Sequence, residues 1–208
     1  MPRELVLYQA DVSNYVESMG GGGDSREIGA SIHAKALEVP MSAVTSDPIA
    51  DFIVRAGEPR WYGDNLFEFL IPGEVTGGAA AAFIANCRAG FAPPRHVHTR
   101  EDEIVHVLAG EVLYEIDGHR ELAGPGATVW LPRGVPHAFA VASPVARMLG
   151  VISPGEFVEM FRELSIPAPA RELPPPGANP LDQATIAAAQ AERGIRVIGP
   201  PIELPVAA

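Results

Sequence analysis

Between Gly90 and Val141, three histidines, one glutamate and a set of turn residues stand at spacings that leave few folds open to the chain. His96 and His98 are at i and i+2, so on an extended segment both imidazoles point to one face, because strand side chains alternate with period two. Glu103 opens the next strand after the turn Thr99–Asp102 and can return toward the same point. His137 lies about forty residues further on, behind the turn Pro132–Pro136, at the start of its own strand. A barrel that brings these two edges together makes a site of three imidazoles and one carboxylate. Such a set holds one divalent transition metal, Fe, Ni, Mn, Co or Zn, and the ligands alone do not choose among them.

The surrounding sequence reads as strands. Asn65–Ile71, Ala79–Cys87, Glu103–Leu108, Glu111–Asp117, Thr128–Leu131, His137–Ala142 and Ala146–Ile152 are short, rich in Val, Ile, Leu or Phe, and bounded by Gly or Pro. Glycine and proline together account for 42 of 208 residues (21 of each), which favours many turns over long helices. Asp117-Gly118 between two strand-like runs is a hairpin signal. With no βαβ rhythm, these elements predict an all-β fold, an antiparallel barrel or sandwich.

The flanks differ. Residues 1–57 form an N-terminal extension, with a helix expected behind Asp11 and a flexible hinge at Gly20–Gly23. Phe52–Val54 suits a helix or a strand equally. The strand region spans 58–153, and 154–208 reads as a C-terminal helical arm packing on the barrel. Ser153-Pro154-Gly155-Glu156 carries the signals of a helix start, and Phe157, Met160, Phe161 and Leu164 line one face behind it. A second helix is expected over Pro180–Arg193 with Asn179 as its cap, and Arg196–Ile198 as a short edge strand.

A net charge of −11 without clustered Lys and Arg argues against nucleic acid and anionic membranes as partners, and no basic helix-turn-helix segment is present. The single cysteine, Cys87, excludes an internal disulfide and a cysteine metal cage. No apolar run approaches membrane-spanning length, and the first residues lack a signal-peptide pattern, so the expected location is cytoplasmic. Among the remaining polar groups, Glu101 and Asp102 are close enough to replace Glu103 as a ligand, but are assigned to a solvated turn. Arg95 and Arg100 are read as surface charges, and His106 faces the side of the sheet opposite Glu103. The aromatic residues, Trp130 included, are assigned mostly to the core, with Phe139 sharing the strand parity of His137 and so best placed to line a cavity.

The spacing Gly90-x5-His96-x-His98-x4-Glu103-x6-Gly110 matches the first cupin motif, and Gly126-x5-Pro132-x-Gly134-x2-His137 matches the second, with fifteen residues between them. Val141 stands where the second motif often has Asn, a position that is usually not a ligand. Together with SPGEFVEMFREL and GIRVIGPP, the stretch over about residues 58–201 resembles single-domain cupins related to bacterial quercetin 2,3-dioxygenases.

The resemblance implies a cupin (jelly-roll-like antiparallel β-barrel) with His96, His98, Glu103 and His137 on one metal ion. It implies a metal-dependent dioxygenase acting on an aromatic, flavonol-like or enolizable small molecule, with O2 as co-substrate and Glu103 also as acid/base. Two other readings keep the fold: a non-oxidative isomerase, cyclase or lyase using the ion as a Lewis acid, and a non-catalytic small-molecule-binding cupin. Exposed strand edges lead to the expectation of a homodimer.

Overall fold

The structure, a computed structural model, describes residues 52–205. The expected helix behind Asp11 and the glycine hinge lie outside those residues. Phe52–Val54, open between helix and strand, belongs to no strand.

Twelve strands form two antiparallel sheets among the described residues. The first seven are β1 (Glu58–Tyr62), β2 (Asn65–Ile71), β3 (Ala81–Arg88), β4 (Pro94–His98), β5 (Asp102–Ala109), β6 (Val112–Ile116) and β7 (His119–Ala123). They are followed by β8 (Thr128–Leu131), β9 (His137–Val141), β10 (Val145–Ser153), β11 (Ile166–Pro167) and β12 (Ile195–Pro201). The larger sheet runs β11-β1-β2-β3-β10-β5-β8 and the smaller β12-β4-β9-β6-β7. Their inner faces share one core: Phe67, Phe83, Val105 and Met148 from the first sheet meet Val112, Tyr114 and Val141 from the second. The all-β antiparallel expectation therefore holds.

Local chemistry explains the turns. Asp117 and Gly118 both adopt positive φ, 49° and 80°, the backbone of a tight β6–β7 hairpin that only Asn, Asp or Gly enters readily. Gly110 ends β5 at φ +79°, and a Cβ there would collide with the carbonyl of Val145 and lie 2.8 Å from Cα of Ala146. Left-handed strain and overpacking would then add. Gly110→Ala is expected to lower folding stability by about 2–4 kcal/mol, read as the shift of a urea unfolding midpoint; an unshifted midpoint contradicts the crowding argument.

Beyond β10, the arm departs from its local signals. Ser153 does not cap a helix. It is still the last residue of β10, paired with Asp102, and its hydroxyl donates to the carbonyl of Ala79 at 2.8 Å. A 3-10 turn, Gly155–Phe157, intervenes before α1 (Val158–Glu163). Phe161 on α1 packs into an aromatic cluster with Tyr62, Phe67, Phe83 and Phe157, ring centroids 5.0–5.6 Å from its own. The second helix, α2 (Gln183–Glu192), is shorter than expected and is capped by Asp182, which accepts from the Thr185 amide at 2.9 Å. Asn179 instead donates to the carbonyls of Trp61 and Leu164, tying the arm to β1 and to the end of α1. The edge strand expected near Arg196 is β12, which pairs with β4 and so buttresses the strand that carries two of the histidines.

Trp130 is a correction to the core assignment. Leu131 beside it takes the inward position at 1% exposure, so alternation turns Trp130 outward at 64%. No described helix is long and apolar enough to cross a membrane.

Candidate metal centre

Strand alternation and one cross-strand pairing build the site. On β4, His96 and His98 face inward while Arg95 faces out, where it pairs with Glu115, which Arg120 also contacts at 2.7 Å. His96 and His137 are directly opposite one another in the β4–β9 ladder. All three histidines are buried, at 6%, 1% and 2% exposure for His96, His98 and His137. Each offers one ring nitrogen within 4.8 Å of the other two. The fold thus brings the three imidazoles together.

The hydrogen bonds fix which nitrogens face the centre. Nδ1 of His96 lies 2.8 Å from the carbonyl of Pro94, and Nδ1 of His137 lies 2.9 Å from that of Val135. A carbonyl only accepts, so each Nδ1 carries the proton and each Nε2 keeps a lone pair directed inward. Nε2 of His137 and both ring nitrogens of His98 are buried without a hydrogen-bond partner among the described residues. Leaving such groups unpaired costs roughly 1–3 kcal/mol each, so three together mark a place built for a ligand that accepts lone pairs. The donor set fits a divalent transition ion.

Burial and mutual repulsion keep His96 and His137 neutral. The His96 pKa is lowered to about 3, first by burial and then by the neighbouring His137 and His98, against a smaller opposing effect of the Pro94 carbonyl. That of His137 is lowered to about 4, chiefly by burial, with the Val135 carbonyl opposing it and His98 reinforcing it. Neutral imidazole is the form that binds metal.

Glu103 stands at the edge of this group. Its carboxylate is 3.8 Å from Nε2 of His98, on the same cavity wall, but outside the set of mutually close ligand atoms. Burial raises its pKa, only partly countered by His98. Of its acidic neighbours, Asp102 is in the partly exposed position expected, 2.6 Å from Arg133. Glu101 is not in the solvated turn: it is 3% exposed, with Oε2 3.4 Å from Nδ1 of His98. Among the three acids in a row, spacing singled out Glu103 alone, and nothing local marked Glu101 as buried. His106 faces outward as expected, 2.8 Å from the Thr128 hydroxyl.

The centre opens on a cavity of about 840 Å³, of a size that accepts a small organic molecule. Phe139 lines it, as its parity implied, but so do Phe67 and Phe83, whose alternation on β2 and β3 placed them on one face. The arm adds Phe157, Phe161, Leu181 and Ile186, which no strand pattern could have assigned.

Two antiparallel sheets enclosing a buried three-histidine cluster are the architecture of a cupin, and residues 84–152 match the cupin domain family. Residues 84–152 therefore form a cupin domain. Among curated proteins it is similar to quercetin 2,3-dioxygenase of Bacillus subtilis (strain 168), at 27% identity over 126 residues. That match takes in 60% of this chain but only 37% of the relative, so the chain spans little more than a third of that protein's length. Similar solved structures include an RmlC-like cupin from Shewanella frigidimarina NCIMB 400, at 19% identity and a TM-score of 0.41, covering 47% of this chain and 84% of that one. The DMSP lyase DddQ from Ruegeria pomeroyi DSS-3 is also similar, at 32% identity and a TM-score of 0.34, covering 36% of this chain and 39% of that one.

Proposed function

We propose that this cupin is a metal-dependent dioxygenase of the quercetinase type, acting on an aromatic, flavonol-like or enolizable small molecule. The observation that carries this reading is the convergence of three buried imidazoles, two of which, His96 and His98, lie on the wall of a cavity lined by phenylalanines. The similarity to a quercetin dioxygenase supports it.

His96, His98 and His137 would hold the ion through ring nitrogens, with Glu103 beside them as the fourth ligand. A divalent transition ion bound there would supply Lewis acidity toward the substrate oxygen. Phe67, Phe83, Phe139 and Phe161 form an apolar slot that excludes water and holds an aromatic ring against the centre. Glu103 takes the proton from the substrate hydroxyl at its own carboxylate. Burial moves its pKa toward working pH, where a carboxylate is a better base.

The decisive experiment is an oxygen-electrode screen of flavonols and related enols with metal-loaded protein. O2 uptake in step with substrate loss is the expected result. Equal turnover under strict anaerobiosis sinks the dioxygenase reading in favour of a metal-dependent isomerase or lyase.

A further inference from the structure

We propose that Glu101 is the positioning residue of the centre: it holds His98 as the Nδ1–H tautomer, so that the Nε2 lone pair is presented alongside those of His96 and His137. This rests on the reading that the three histidines form a metal site.

The three imidazoles are not supported alike. His96 and His137 each direct Nδ1 at the backbone carbonyl two residues earlier, at 2.8 and 2.9 Å. His98 makes no such bond, and both its ring nitrogens are buried and unpaired among the described residues. The group that faces its Nδ1 is the Glu101 carboxylate at 3.4 Å, and that carboxylate's Oε2 is itself buried and unpaired. Other approaches to the ring are taken: Phe157 packs edge-on against it at 4.7 Å between centroids, and His137 stacks on it at 5.3 Å.

Two buried orphans facing each other are compatible only if a proton lies between them. A carboxylate opposite a nitrogen lone pair is repulsive; opposite an N–H it makes a charge-assisted hydrogen bond. The competing acceptor is Glu103, 3.8 Å from Nε2, which is farther away. A carboxylate partner differs from a carbonyl in a second respect, because it makes the imidazole a stronger donor. Glu101 therefore makes His98 the strongest of the three nitrogen ligands, and it does so from the turn between β4 and β5 without touching the ion.

The test uses the full chain with histidines labelled with ¹⁵N, stripped of metal, and the His98 signals assigned by their loss in His98→Asn. Long-range ¹H–¹⁵N correlation should show the His98 proton on Nδ1 in the unaltered protein and in Glu101→Gln, whose side-chain carbonyl still accepts. In Glu101→Leu the proton should move to Nε2, facing Glu103. Chelator competition with Co(II) should then show an affinity loss of roughly 10- to 100-fold for Glu101→Leu and a smaller one for Glu101→Gln. A His98 proton on Nε2 in the unaltered protein overturns the assignment. So does a Glu101→Leu protein with unchanged tautomer and unchanged Co(II) affinity. Should Glu101→Leu fail to fold, the unaltered and Glu101→Gln proteins decide by tautomer alone. If the unaltered protein takes up no Co(II), the metal-centre reading falls, while the tautomer measurement on metal-free protein still decides what Glu101 does.

Discussion

His137→Ala and His96→Ala proteins are expected to fold but to bind divalent metal at least about a hundredfold more weakly than the unaltered chain, with loss of turnover. The size of the effect follows from the geometry. Both side chains are tied by Nδ1 to backbone carbonyls and both direct Nε2 inward, so each removal deletes one preorganised donor. The two variants also separate the centre from the fold. Truncating His137 opens a void, which is destabilising, but it also removes a buried nitrogen that has no partner among the described residues, which is stabilising. The two effects have similar sizes and opposite signs, so metal-free unfolding midpoints should move little. Elemental analysis after loading, beside a denaturant titration of the stripped protein, checks both halves. Full metal occupancy in both variants would overturn the ligand assignment.

Glu103→Gln is expected to cut turnover by about 10²- to 10⁴-fold while leaving stability nearly unchanged. The substitution keeps the shape of the side chain and removes its capacity to take a proton. Because burial already disfavours the charged form of Glu103, a neutral amide carries no added desolvation cost. Loss of rate with an unshifted melting temperature and unchanged metal occupancy is the signature of a group acting on the substrate. An unchanged rate constant removes the acid/base role and leaves Glu103 as a wall residue beside His98.

The contrast between these residues and Glu101 shows what kind of information a linear pattern holds. His96 and His98 could be placed on one face because alternation is a local property of extended backbone. Gly110 and Asp117-Gly118 could be placed at turns because a positive φ is a local demand on residue type. Glu101, Asp102 and Glu103 are three acids in succession, and only Glu103 had a signal, in its spacing from the histidines. Packing turns Glu101 under His98, sends Asp102 outward to Arg133, and leaves Glu103 on the cavity wall.

Helix capping failed for a related reason. Ser153 has the right neighbours for a cap, but the β10 ladder with Asp102 holds it in a strand, and its hydroxyl goes to Ala79. The loss of Asn179 as a cap is similar: it reaches two carbonyls on other elements, and Asp182 caps α2 in its place.

Residue type and spacing alone thus pointed to an antiparallel β fold and to the strand faces from which His96, His98, Phe139 and His106 project. Each depends only on the two-residue repeat of a strand or on the backbone freedom of one residue. Tertiary structure decided the rest: which acid stands behind His98, which phenylalanines wall the cavity, and how the arm completes it. Those outcomes depend on groups distant in sequence competing for the same buried space, as where Phe161 of α1 reaches Phe67 and Phe83 across the barrel.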